Sequence, residues 1–213
     1  MTDAMGKPDL FGYRRPLVFG GSFDPPHVAH VSLPRHVAKA IGADVVLYVP
    51  AGRAPHKLDV EQTDPRHRLA MLRLALADES RALVLDDEVE RVADGRPSYT
   101  VDTLEALVPR LHPAAKMCLL IGMDQVGIFE SWYRWERVVE LAEPAVMRRP
   151  TLEVSSPPPE ELSPEWERRV VDVPQTAVSS TEVRRRVAAG ESIDALVHPA
   201  VAAYIHEHGL YRD

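Results

Sequence analysis

A chain of 213 residues, 45% of them hydrophobic, is long enough for one α/β domain with a sizeable core and too short for two large ones. A formal net charge of −7 gives no broad basic surface for non-specific nucleic-acid binding, so any phosphate site has to be local. The single cysteine, Cys118 in the run MCLLIG, excludes an intrachain disulfide, and no run approaches the roughly 18 apolar residues of a membrane span.

Residues 1–14 are polar and lack an apolar h-region, so they are expected to form a flexible N-terminal tail on a single domain of residues 15–213, in a cytoplasmic protein. Pro16–Phe19 reads as the first strand and runs into GGSFDPPHVAH, Gly20 to His30. Two glycines behind a buried strand let the backbone turn tightly and approach a ligand, Phe23 can fill the space beneath, and Pro25 and Pro26 set the chain's direction. His27 opens a helix to about Ile41, so His27 and His30 sit on one face of its first turn, where free N–H groups favour an anion. Pro34 inside that helix is expected to kink it.

Asp44–Val49 is the second strand, followed by a loop carrying His56 and Lys57. Asp64 caps a helix with Pro65 at its first position and an apolar stripe of Leu69, Leu72, Ala75 and Leu76. Ala82–Leu85 is a third strand, and the acidic DDEVE behind it reads as a solvated edge with no chemistry. Ser98 or Thr100 caps the next helix. Lys116–Ile121 is the fourth strand, ending in Gly122-Met123-Asp124, which can approach a nucleotide or simply cap a helix. Trp132, Tyr133 and Trp135 cannot all face one core, so at least one is expected to meet a ligand or partner. Ala145–Met147 delivers Arg148 and Arg149 to a strand end, residues 151–165 form a Pro-rich surface excursion, and Arg169–Val173 is the last strand. SSTEVR follows with Ser179 or Ser180 as cap, and Pro199 and Gly209 bracket a closing helix.

This alternation describes a Rossmann-like, doubly wound, mainly parallel sheet with helices on both faces. Each candidate segment follows a strand's carboxyl end, the edge where such sheets bind ligands, so the segments can converge on one cleft. The two histidines, Lys57, Arg149 and two helix N-termini are anion-binding devices. No Ser-His-Asp set, zinc constellation, GxxxxGK[ST] or GxGxxG is evident.

HVAH resembles the (H/T)xGH signature of the nucleotidyltransferase superfamily, with Ala29 in the place of the usual glycine. From about Pro16 to Arg212 the chain is similar to the bacterial nicotinate-mononucleotide adenylyltransferases, in GGSFDPPHVAH, APHK, RPSYTVDTL, IGMD, SWYRWE, RRP, SSTEVR and YIHEHGLYR. The resemblance implies transfer of AMP from ATP to nicotinate mononucleotide, giving deamido-NAD and pyrophosphate. It implies that His27 and His30 bind ATP phosphates and stabilise the transition state, and that Gly21, Ser22, Phe23, Gly122 and Asp124 line the nucleotide cleft. Ser180, Thr181 and Arg184 would hold ATP phosphates, and His56, Lys57 and Arg149 would assist. Thr100 and Tyr133 would present backbone amides to the nicotinate carboxylate, with Trp132 stacked on the pyridine ring. The implied cofactor is Mg²⁺ carried on the ATP phosphates, with no protein metal site. The implied partners are the two substrates, with no nucleic acid or membrane and with a homo-oligomer left open. Two alternatives stand beside this reading: the same chemistry on nicotinamide mononucleotide or phosphopantetheine, or a nucleotide sensor without turnover.

Overall fold

Six parallel strands make one sheet in the order β3-β2-β1-β4-β5-β6. They are β1 (Pro16–Gly21), β2 (Val45–Pro50), β3 (Ala82–Val84), β4 (Met117–Gly122), β5 (Ala142–Arg148) and β6 (Val170–Asp172). The computed structural model describes residues 7–52, 62–91, 97–148 and 162–212. His56, Lys57, Arg149 and most of the Pro-rich stretch lie outside those residues.

Successive side chains of a strand point to opposite faces, and the buried residues divide accordingly. Val18, Val45, Leu47, Leu119 and Ile121 join one core with Val101, Leu104 and Leu107 of α4 (Thr100–Leu107) and Val138 of α6 (Trp135–Leu141). Leu17, Val46, Tyr48, Cys118 and Leu120 join the other with Leu33 and Val37 of α1 (Val28–Ile41) and Leu72 of α2 (Pro65–Ala75). Both faces of the sheet are thus covered, as an all-parallel sheet requires. A third cluster packs α8 (Ser180–Ala188) and α9 (Pro199–Glu207) against α2 through Met71, Val183, Val201 and Ile205.

The strand order reverses between β1 and β4, so the carboxyl ends of those two strands part and leave a crevice. β1 runs two residues further than its apolar stretch, because Gly20 and Gly21 still pair with Val49 and Pro50. β5 begins three residues earlier than expected, at Ala142. Pro144 is tolerated because β6 pairs only with Val146 to Arg148 and asks no N–H of it.

Several local expectations are met and several corrected. Asp64 accepts a hydrogen bond from the Arg66 amide at 2.7 Å and caps as expected; of Ser179 and Ser180 it is Ser179 that caps, accepting from the Glu182 amide at 3.1 Å. Neither Ser98 nor Thr100 caps α4; Tyr99 holds the cap position without a side-chain bond. The inward face of α2 is Arg68, Met71, Leu72 and Ala75, with Arg68 where the stripe placed Leu69. Residues 7–14, expected to be loose, are anchored: Leu10 is 1% exposed, Lys7 meets Asp87 at 2.8 Å, and the Arg14 amide donates to the Asp44 carboxylate at 2.6 Å. No helix among the described residues is long and apolar enough to cross a membrane.

Helix α1 ends at Gly42, whose φ of 72° lies in the left-handed region, and its amide donates to the Ala38 carbonyl. An added Cβ there would meet nothing within 4 Å. The whole cost of Gly42→Ala is therefore conformational, and a urea unfolding midpoint should report a loss of about 1 kcal/mol.

Candidate functional site

The turn after β1 is shaped by one ring. A Cβ on Gly21 would stand 3.0 Å from the Phe23 side chain, so any larger residue would push back the ring that folds beneath the strand end. Phe23 pays for this position with a φ of +50°, and its buried ring meets the edges of Phe19 and His30 at 5.4 and 5.1 Å between centroids. His27 is the N-cap of α1 rather than its first turn, and His30 is the third helical residue. Their imidazoles stack at 3.7 Å with 22° between planes. His30 Nδ1 accepts a hydrogen bond from the His27 amide at 3.2 Å, so neutral His30 carries its proton on Nε2. Ala29 is buried in the core with Phe23 and Leu33 and does not line the crevice.

Two buried polar groups hold this turn. Arg68 is fully buried and donates Nε to the Thr63 carbonyl, Nη1 to Ser22, and Nη2 to Ala51 and Gly52, at 2.7–3.2 Å. Burial pulls its pKa down while Asp24 and other anions oppose that pull. Asp24 accepts from the Thr63 amide at 3.2 Å and from the Tyr211 hydroxyl at 2.6 Å, and its carbonyl accepts from Arg184 at 2.6 Å. The Ser180 hydroxyl donates to the Pro25 carbonyl at 2.9 Å. The start of α8 is thereby fastened onto the turn that leads into α1.

Between the ends of β1 and β4 lies a cavity of about 620 Å³. Of the residues singled out from the sequence, Gly21, Ser22, His30, Thr100, Gly122, Asp124, Trp132 and Tyr133 line it. Phe23 and His27 are buried directly behind, while Ser180, Thr181 and Arg184 stand beside Asp24 and Pro25 at α8. Gly122 holds the N-cap position of the short α5 (Met123–Val126), as the simpler reading of that segment expects. Among the described residues no group of three or more His, Cys, Asp or Glu is placed to hold a metal ion.

On the opposite wall, Tyr99 and Tyr133 pack at 4.7 Å and Trp132 leans on Phe129 at 5.1 Å. Tyr133 is 54% exposed, whereas Trp135 packs against the core. Arg134, with φ +54°, and Arg137 both reach Glu105 on α4, at 3.1 and 3.2 Å. That pairing ties the Trp132–Tyr133 loop to the helix that begins at Thr100.

Glu88 is the residue that sequence reasoning missed. It lies on α3 (Asp87–Glu90), is 7% exposed, lines the cavity, and accepts a hydrogen bond from the Thr103 hydroxyl at 2.6 Å. Ser98 and the Gly52 backbone also hydrogen-bond to it. Burial pushes its carboxyl pKa up, against the pull of those donors and of Arg91. The signal is not local, because the partners of Glu88 come from segments far from it along the chain: Gly52 after β2, Ser98 before α4 and Thr103 within α4.

The cytidylyltransferase-like family matches residues 18–186. A probable nicotinate-nucleotide adenylyltransferase of Chromobacterium violaceum is 38% identical over 210 residues, covering 92% of this chain and 97% of its own length. One from Pseudomonas syringae pv. tomato is 35% identical, covering 93% and 94%. The solved nicotinic acid mononucleotide adenylyltransferase of Plasmodium falciparum, complexed with NaAD, superposes with a TM-score of 0.72 at 19% identity, covering 93% of this chain and 98% of its own. At that identity it speaks for the fold.

A carboxyl whose pKa is raised on folding contributes most below its unfolded pKa, and that contribution is lost as pH rises toward the folded value. Gln is the shape of the neutral acid, so the melting temperature of Glu88→Gln minus that of the parent should be flat in acid. It should grow as pH climbs above the ordinary carboxylate range. A difference independent of pH across a thermal-melt series would show that Glu88 is not held in this way.

Proposed function

We propose that this chain, which belongs to the cytidylyltransferase-like family among the nicotinate-nucleotide adenylyltransferases, transfers the AMP part of ATP to nicotinate mononucleotide in NAD biosynthesis. The products are deamido-NAD and pyrophosphate. The observation that carries this reading is the stacked histidine pair at the start of α1, with His30 lining the cavity between β1 and β4.

The mononucleotide phosphate has a second pKa of about 6, so it is already anionic near neutral pH and needs no protein base. One of its oxygens attacks the α-phosphorus, the bond from that phosphorus to the bridging α,β-oxygen breaks, and the electron pair departs on pyrophosphate. The protein's task is alignment and neutralisation. His27 and His30 are assigned to the ATP phosphates, with the positive end of α1's dipole behind them. Gly21 and Ser22 would let the nucleotide approach β1's end over Phe23, and Gly122 and Asp124 would face it from β4. Arg184 spends Nη1 on the Asp24 carbonyl, which orients the fork and leaves further N–H groups for phosphate beside Ser180 and Thr181. His56, Lys57 and Arg149 are assigned to the same anions by motif alone. Mg²⁺, arriving on the ATP phosphates as part of the substrate, would supply further charge neutralisation.

On the acceptor side the main-chain amides of Thr100 and Tyr133 would receive the nicotinate carboxylate, and Trp132 would stack on the ring. The Tyr99–Tyr133 contact and the Glu105 pairing support this assignment, because they hold the two amide-bearing segments against each other.

Pyrophosphate release from ATP, Mg²⁺ and nicotinate mononucleotide, with nicotinamide mononucleotide and phosphopantetheine in parallel, tests reaction and acceptor together. Release with the nicotinate compound is expected, and none with any acceptor would overturn the reading in favour of a sensor. Within an active protein, His30→Ala should lower kcat about 10²- to 10³-fold, the scale of a lost oxyanion donor, with circular dichroism unchanged. A folded variant of normal rate would remove His30 from the reaction.

A further inference from the structure

Pro34 lies inside α1, and a proline nitrogen has no hydrogen to give the carbonyl four residues back. That carbonyl belongs to His30. Tyr48, on β2, donates its hydroxyl to the same oxygen at 3.0 Å. The donor that the helix cannot supply is therefore supplied by the sheet.

The surroundings make this bond firm. Tyr48 is 2% exposed, and its ring packs against Phe19 at 5.7 Å and Phe23 at 6.1 Å, the second of which bears on the His30 imidazole. Burial pushes the phenol pKa well up, so the hydroxyl keeps its proton and remains a donor. An ordinary helical carbonyl is restrained by an N–H of its own helix and moves when that helix moves. The His30 carbonyl is instead restrained by β2, the strand paired with β1, whose carboxyl end forms part of the cavity wall.

We propose that Tyr48 is a positioning residue for His30: its hydroxyl replaces the N–H that Pro34 lacks, anchors the His30 main chain to the sheet, and so sets where the imidazole stands at the cavity. This rests on the adenylyl-transfer reading for its kinetic consequence, but the bond itself does not.

Tyr48→Phe keeps every ring contact and removes only the donor. Pro34→Ala restores a backbone N–H to the His30 carbonyl, so a cycle of the two single variants and the double variant separates the bond from its surroundings. In the full chain, kcat and the KM for each substrate would be measured together with the imidazole ¹⁵N signals of His30. Tyr48→Phe should lower kcat about 5-fold, with each KM within about twofold of the parent, as befits a lost hydrogen bond felt in the transition state. In the Pro34→Ala background the same change should alter kcat less than about twofold. The His30 signals should shift in Tyr48→Phe and return in the double variant. Unchanged kcat and signals in Tyr48→Phe, even with a lowered melting temperature, would overturn the proposal, as would an equal loss in both backgrounds. Should the parent protein turn over none of the three acceptors, the functional reading falls, and the His30 signals alone decide this inference.

Discussion

The guanidinium of Arg68 is the constraint on which the site depends. A buried cation is costly unless every N–H finds an acceptor, and here the hydrogen-bond acceptors are backbone carbonyls: Ser22 after β1, Ala51 and Gly52 after β2, and Thr63 before α2. A carbonyl at a strand end would ordinarily turn to water. Gathered on one planar fork, these fix the paths of two loops and a helix entry relative to one another. Remove the fork and four dipoles lose their donor together, which is why the glycine turn cannot be understood from its own residues.

The same device recurs around the cavity at smaller scale. Asp24 collects the Thr63 amide and the Tyr211 hydroxyl while its own carbonyl receives Arg184, so the end of the chain, α8 and the glycine turn share one anchor. Glu88 does the corresponding work on the far wall, joining Gly52, Ser98 and Thr103. Polar groups satisfied in this way resist small displacements, because moving one partner leaves another buried and unpaired. Adenylyl transfer without a protein base needs that stiffness, since its rate comes from alignment.

Much of this was legible before any coordinates. The strands stood out as apolar runs, the cap Asp64 by its residue type, the cap of α8 as one of Ser179 and Ser180, and the histidine pair by its spacing. The misreadings share a cause. The strand placed at Ala145–Met147 begins earlier, before Pro144, because the sequence does not say which neighbour a strand has at each residue, and β6 does not reach Pro144. Glu88 looked solvated because Thr103 stands 15 positions away. Leu69 was placed in the apolar stripe of α2 and Arg68 was not, because the carbonyls that make Arg68 a core residue belong to three other segments.

By itself the sequence determined the main elements, their parallel arrangement, and the candidate anion-binding groups near strand ends, because periodicity, capping and glycine placement act within a few residues. The tertiary structure alone decided which of those groups line one cavity, and how Tyr48 meets the carbonyl that Pro34 leaves without a helical donor. Those outcomes depend on a carbonyl, a hydroxyl or a guanidinium arriving from another strand or loop. No short window of sequence contains both partners of such a bond.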